Sequence, residues 1–292
     1  MRSATTAYRL EQTGHCDGML TATVSFDPDA LIFAGHYPEV AVVPGVLLID
    51  IATLLATELA GRARWRIHSA RFAAPVHPHA PVTLTAEART DDEVRIAVSS
   101  DGGKAASIRL RPDGGEPPDD PEAPGPPHHV TTATEFRRSS PGDPVLARLP
   151  HRPPMAFLHD AIMTEPDRLT AHCGRESIEF HRHSTTFTSP DPAARWPATL
   201  ILEAWCQAAA VLMLTLEPEF TAPAVLISGL SGVRVRPEVE IGDPLELSVR
   251  LLDRFPEAST CTGYARSGRR TVLEIERLTA TLRPFDQLRS SS

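Results

Sequence analysis

A histidine and an acid stand on either side of a helix start. His36 lies in Phe33-Ala34-Gly35-His36-Tyr37-Pro38, which reads as a tight loop bounded by Gly and Pro. Val43-Pro44-Gly45-Val46 then opens an apolar stretch that carries Asp50, 50 − 36 = 14 positions past the histidine. A neutral imidazole, with an ordinary pKa of about 6.5, suits proton abstraction near neutral pH. A helix N-terminus offers free backbone N–H groups to an oxygen that is gaining charge. A carboxyl can hand a proton to a leaving group. Such a set can take a proton from the carbon beside a carbonyl and expel a hydroxyl. A second acid, Glu203, sits in the equally apolar Leu202-Glu203-Ala204-Trp205-Cys206-Gln207. Gln207 follows it by one helical turn and can hydrogen-bond that carboxylate. An unpaired charge in an apolar helix is costly, so Glu203 calls for a specific partner.

The elements that must hold these residues repeat. In the first half, Met19–Phe26 alternates as a strand does, the His36 loop follows, and Val46–Ala60 forms a nearly all-apolar helix that starts after Pro44-Gly45 and stops at Gly61. Strand-like runs follow at Ile67–Phe72, Val82–Ala88, Val94–Val98 and Ala105–Leu110. In the second half, 169–180 reads as strands, a loop leads to Pro197, and Ala198–Leu216 is a long apolar helix. Val225–Val235, Leu245–Leu252, Thr260–Ala265 and Val272–Leu282 then read as strands. Pro44 and Pro197 are 197 − 44 = 153 positions apart, and so are Asp50 and Glu203 (203 − 50 = 153). A duplicated supersecondary unit accounts for this constant offset. One helix per several long antiparallel strands implies an α+β fold in which a curved sheet wraps each helix. Between the halves, 111–127 reads RPDGGEPPDDPEAPGPP, with almost nothing to bury. The expected division is 1–110, a linker at 111–143, 144–285, and a tail at 286–292.

Composition narrows the class. The 292 residues are 41% hydrophobic and 23% charged, as in a soluble globular protein, and suffice for two domains. A formal charge of −8 speaks against a general nucleic-acid binder. No run of about 18 apolar residues occurs, so no membrane-spanning helix is expected, and the N-terminus lacks the apolar core of a secretory signal. Cys16, Cys173, Cys206 and Cys261 are scattered without metal-ligand spacing, and read as buried, reduced thiols of a cytoplasmic protein. No dinucleotide glycine motif and no HExxH occurs, so no metal or redox cofactor is signalled.

Gly35-His36-Tyr37-Pro38 followed by Val43-Pro44-Gly45-Val46-Leu47 resembles the hot-dog-fold dehydratases of fatty acid and polyketide synthesis, whose signature is a GHFP loop and a PVMPGVL helix bearing Glu or Asp. Leu149-Pro150-His151-Arg152-Pro153-Pro154-Met155 resembles their LPHRYPF segment, and 202–209 resembles VEAMAQAA. The resemblance covers most of both halves and implies a double hot dog: two fused units, each a long helix clasped by an antiparallel sheet, paired as a pseudo-dimer that could pair further. It implies dehydration of 3-hydroxyacyl groups carried on the phosphopantetheine of acyl carrier protein, with no other cofactor, and more specifically a role in polyketide or specialised lipid synthesis.

In that family a site takes its histidine from one unit and its acid from the other. Carried over, His36 and Gly45 pair with Glu203 and Gln207: His36 as base, Gly45 as the N–H donor to the thioester oxygen, and Glu203 as acid with a pKa raised by burial. Counting back 203 − 14 = 189 finds Ser189 where the family has histidine, with Ala198 for the helix-opening Gly and Leu54 opposite Gln207. Asp50 and Ser189 then mark a degenerate second site. Pairing of His36 with Asp50 inside one half stays open. The resemblance implies a structural role for His151, and His181 and His183 read as solvent-facing. Arg62, Arg64, Arg66 and Arg71 could dock an acidic carrier protein or simply form a solvated face. A non-catalytic acyl-binding or partner subunit, and less readily a thioesterase, are the alternatives.

Overall fold

The computed structural model describes residues 7–90, 92–101, 103–114, 138–139, 144–173, 186–187, 195–217, 223–236 and 239–288. The first half contains β1 (Tyr8–Cys16), β2 (Met19–Phe26), a short helix α1 (Leu31–His36), the long helix α2 (Gly45–Ala60), β3 (Trp65–Phe72), β4 (Val82–Thr90), β5 (Glu93–Ser100) and β6 (Gly103–Pro112). After β7 (Arg138–Ser139) and α3 (Pro144–Ala147), the second half contains β8 (Leu158–Glu165), β9 (Arg168–Cys173), the long helix α4 (Ala198–Leu216), β10 (Pro223–Val235), β11 (Leu245–Arg254), β12 (Ala258–Ser267) and β13 (Arg270–Pro284).

The strands form one sheet in the order β1-β2-β4-β5-β6-β3-β10-β13-β12-β11-β9-β8-β7. Read outward from the centre, β3-β6-β5-β4-β2-β1 mirrors β10-β13-β12-β11-β9-β8, so the duplication seen in the sequence is a two-fold arrangement in space. The halves join where β3 runs antiparallel to β10, with Ala70 opposite Leu230 and Ile67 opposite Val233. Each half curls its strands around its own helix, and α2 and α4 also meet each other. This is the double hot dog of the α+β class.

Proline starts both central helices with the same backbone geometry: Pro44 has φ −55° and ψ 132°, Pro197 φ −56° and ψ 132°. α2 ends at Gly61, whose φ of 64° is left-handed and whose N–H caps the Thr57 carbonyl. α4 ends in arginines: Arg148 donates to the Leu214 and Glu217 carbonyls, and Arg254 to that of Leu216. α4 is long and apolar enough to cross a membrane by composition (mean hydropathy 1.7), which corrects the expectation that no such run occurs. Of that window 89% is buried inside the protein. A helix wrapped on every side must be apolar all round.

The helices and inner strands expected from sequence are present, and the part of the 169–180 reading beyond Cys173 lies outside the described residues. Several elements were not anticipated. β1 is mostly exposed at a sheet edge and carries little apolar alternation. β8 lies near the opposite edge, outside β9. α1 makes His36 the last residue of a helical turn and a half rather than part of a loop. The linker starts later than expected, because β6 runs to Pro112 and the Asp113 N–H bonds the Arg64 carbonyl. Its far end pairs as β7, with Arg138 opposite Ile162. The start of the expected tail also belongs to the fold: Leu288, in a 3₁₀ turn, is buried beside Tyr37 and Val42, and 289–292 lie outside the described residues. Not all the thiols are buried: Cys16 is exposed and Cys173 half-buried, while Cys206 and Cys261 are enclosed.

Candidate active site

His36 ends α1 and turns inward, 8% exposed. Its Nδ1 lies 3.1 Å from the Val42 carbonyl. An N–H must fill that contact, which assigns the proton of the neutral ring to Nδ1 and leaves the Nε2 lone pair for chemistry. The neighbouring Tyr37 hydroxyl donates to the Val225 carbonyl at 2.8 Å, so the loop after α1 is tied to β10 of the other half.

Gly35 is required by packing. A Cβ there would stand 2.9 Å from the Arg152 carbonyl oxygen and 2.9 Å from Pro154 Cδ. Without it, the chain at 149–157 lies directly on α1, and the Arg152 N–H donates to the Gly35 carbonyl at 2.7 Å. Gln207 fixes the other side of that segment: its Nε2 donates to the Met155 carbonyl at 2.8 Å, and its Oε1 accepts from the Phe157 N–H at 3.1 Å. The segment thereby brings His151 against Glu203, with Nε2 3.3 Å from Oε1. Gln207 donates to the same oxygen at 3.0 Å. The His36 and His151 rings meet edge to face at 5.2 Å.

Acceptor atoms of His36, His151 and Glu203 all lie within 4.8 Å of one another. They face a cavity of about 330 Å³, which Gly45, Cys206 and Gln207 also line. Gly45 is the first residue of α2, where backbone N–H groups have no partner within the helix. A Cβ on Gly45 would come 3.1 Å from the Phe72 ring, so glycine keeps this wall thin.

Burial penalises the imidazolium and is the largest influence on His36; with the neighbouring His151 it outweighs the attraction of Glu203 and the Val42 hydrogen bond, and lowers the pKa from 6.5 to about 4. Glu203 corrects an expectation. Burial by itself raises its pKa, but the His151 hydrogen bond, the His36 and His151 rings and the Gln207 amide overcome it and hold the carboxyl at about 2. The resting pair is therefore a neutral imidazole beside a carboxylate. The three groups could also hold a metal ion, and that use would compete with proton transfer for the same lone pairs.

His36, Gly45, Glu203 and Gln207 thus meet on one cavity, from both halves of the chain. Asp50 is not among that cavity's lining residues. It is 4% exposed and accepts a hydrogen bond from Thr199 Oγ1 at 3.1 Å. Leu54, at the position matching Gln207, is 36% exposed. Ser189, His181 and His183 lie outside the described residues. His151, read from sequence as structural, lies beside Glu203 and lines the cavity. Its presence in the Leu149–Met155 motif was the available signal, but its partner is 203 − 151 = 52 positions away. Arg62, Arg64 and Arg71 are exposed, and Arg66 is half-buried.

A family model described as ApeI-like, ApeI dehydratase, matches residues 12–109. The 3-hydroxyacyl-(acyl-carrier-protein) dehydratase FabZ of Anaeromyxobacter sp. strain K is 35% identical over 132 residues, which are 44% of this chain and 81% of that protein. The protein of the same name from Herpetosiphon aurantiacus is 35% identical over 107 residues, 37% of this chain and 73% of its own. Among solved structures, the dehydratase domain of a mycocerosic acid synthase-like polyketide synthase superposes with a TM-score of 0.68 at 15% identity, covering 99% of both chains. The dehydratase domain from the CurJ module of curacin polyketide synthase gives 0.67 at 11% identity, covering 94% and 96%. The curated relatives match less than half of this chain, whereas the structural neighbours span both halves.

Proposed function

The chain belongs to the 3-hydroxyacyl-acyl-carrier-protein dehydratase family, and from that premise we propose that it removes water from a 3-hydroxyacyl thioester to give the 2-enoyl thioester, at one site assembled from both halves. The observation that carries this reading is the approach of His36 and Glu203, within 4.8 Å, on a cavity that the first turn of α2 also faces.

His36 Nε2 takes the C2 proton, whose acidity comes from the thioester carbonyl. The thioester oxygen gains charge as this happens, and the Gly45 N–H at the start of α2 is placed to donate to it. The C2–H electron pair becomes the second C2–C3 bond, and the C3–O bond breaks with its pair on oxygen. The carboxylate of Glu203, close to both histidines, relays the proton from the new imidazolium to the departing hydroxyl, which leaves as water. In this scheme the acid is charged at rest and carries the proton only in transit. No metal or redox group enters it.

The substrate is carried by an acyl carrier protein, which the names of the curated relatives print for those proteins, and reaches the cavity on that carrier's phosphopantetheine arm. The exposed arginines after α2 offer an acidic carrier a complementary surface. The pathway is polyketide or specialised fatty acid synthesis, because the two-unit architecture is shared with polyketide synthase dehydratase domains. The four free cysteines suit a cytoplasmic enzyme.

The test is enoyl formation from a purified 3-hydroxyacyl-carrier substrate. The intact protein forms the conjugated product, and His36→Ala lowers the rate by about 10²–10⁴. An intact protein that binds the acyl carrier but forms no enoyl product would instead be a non-catalytic subunit.

A further inference from the structure

We propose that His151 is a positioning residue of this site: its Nε2–H holds Glu203 as a carboxylate with Oε2 turned to the cavity.

Three observations carry this. First, both close polar contacts to the carboxylate fall on Oε1: the His151 Nε2 at 3.3 Å, and the Gln207 hydrogen bond at 3.0 Å. Among the described residues Oε2 has no partner, so it is the oxygen left to meet substrate. Secondly, His151 Nδ1 is buried without a hydrogen-bond partner. An unsatisfied ring nitrogen in the interior is destabilising, and an apolar side chain would fill the same space without that penalty. The Nε2 contact to Glu203 is what the ring provides in return. Thirdly, the chain around His151 is over-determined. Arg152 docks on Gly35, its guanidinium bonds the Leu149 and His151 carbonyls, and Gln207 grips Met155 and Phe157. These contacts leave the imidazole little freedom to leave the carboxylate.

The groups facing Glu203 are His36 and Tyr37 from α1 and the residue after it, Cys206 and Gln207 from α4, and His151. Of these only His151 and Gln207 donate a hydrogen bond to it, and Gln207 is shared with two backbone groups. Removing the His151 donor therefore lets burial dominate, and the Glu203 pKa moves up. The proton that His36 collects then meets a carboxyl that is already protonated, and relay to the hydroxyl slows.

His151→Leu removes the donor, and His151→Gln keeps a side-chain N–H. Two readouts are taken on each: the infrared band of a protonated carboxyl as a function of pH, checked by its loss on adding Glu203→Gln, and kcat and KM for enoyl formation. The leucine variant is expected to show that band several tenths of a pH unit or more above where the intact protein shows it, with kcat down about tenfold and KM within about twofold. The glutamine variant is expected to recover most of the kcat and keep Glu203 ionised. If the leucine variant does not fold, His151→Phe fills the ring's volume without a donor and takes its place. A folded donor-free variant with unchanged Glu203 titration and unchanged kcat overturns the proposal, as does a glutamine variant as impaired as leucine. The kinetic arm rests on the dehydratase reading, but the infrared arm needs no substrate. An intact protein without dehydratase activity would sink that reading and leave the His151 test decided.

Discussion

Asp50 and Glu203 are each the sixth residue of a central helix, on opposite sides of a two-fold arrangement, and their surroundings have diverged. Glu203 receives hydrogen bonds from His151 and Gln207, lies beside His36, and opens on a cavity of about 330 Å³. Asp50 accepts from the Thr199 hydroxyl and lies near the Tyr8 phenol, whose pKa is raised to about 12 by burial and by that carboxylate. Thr199 matches Val46 in the first half (199 − 153 = 46). The half that places an acid on the cavity thus also supplies the hydroxyl that satisfies the other acid. A buried carboxylate must be solvated by protein groups in either case. Two imidazoles and an amide on an open cavity suit Glu203 to proton transfer, whereas Asp50 accepts from a hydroxyl and has Leu54 where the first site has its amide.

The largest expected difference lies in turnover. Glu203→Gln should lower kcat by about 10²–10⁴, whereas Asp50→Asn should leave it within about twofold. Steady-state enoyl formation by both variants decides this, and equal losses would abolish the distinction between the two acids.

Acid should act next, and on the first site. His36 titrates at about 4 in the folded protein against an ordinary 6.5, so the unfolded chain binds its proton first, and stability falls as pH drops from 6.5 to 4. Glu203 titrates at about 2 against 4.5, so its contribution is whole above 4.5 and is lost as pH falls toward 2. Urea unfolding from pH 7 to pH 3 should therefore show a decline that Glu203→Gln reduces below pH 4.5. An identical pH profile for that variant would contradict the assigned charge state.

The smallest effect belongs to the second site. Thr199→Val should lower stability by about 1–2 kcal/mol, because a donor to a buried carboxylate is lost, with turnover unchanged. Urea unfolding alongside the enoyl assay measures both, and a loss of turnover without a loss of stability would reassign Asp50 to the chemistry.

Much of this was legible in the residues. α4 was read as Ala198–Leu216 and is present with those bounds, because a proline start and an unbroken apolar run leave few alternatives. The inner strands were legible because they bury one or both faces. β1 and β8 were not, since an outer strand buries too little to impose a period. The His36 and Glu203 motifs and the amide one turn on could be found by type and spacing. His151 could be seen only as part of a motif, because its role depends on Gly35 lacking a side chain against which the 149–157 segment would collide.

The sequence by itself determined the two helices, their proline starts, the 153-residue repeat and the residue types able to move a proton. The tertiary structure decided which acid faces which histidine, and that Glu203 rests as an anion. Local pattern is set by neighbours along the chain, so it can be read there. The ionisation of a buried group is set by a balance between desolvation and a few polar neighbours, and here those neighbours arrive from chain segments four, 52 and 167 positions away (207 − 203, 203 − 151 and 203 − 36).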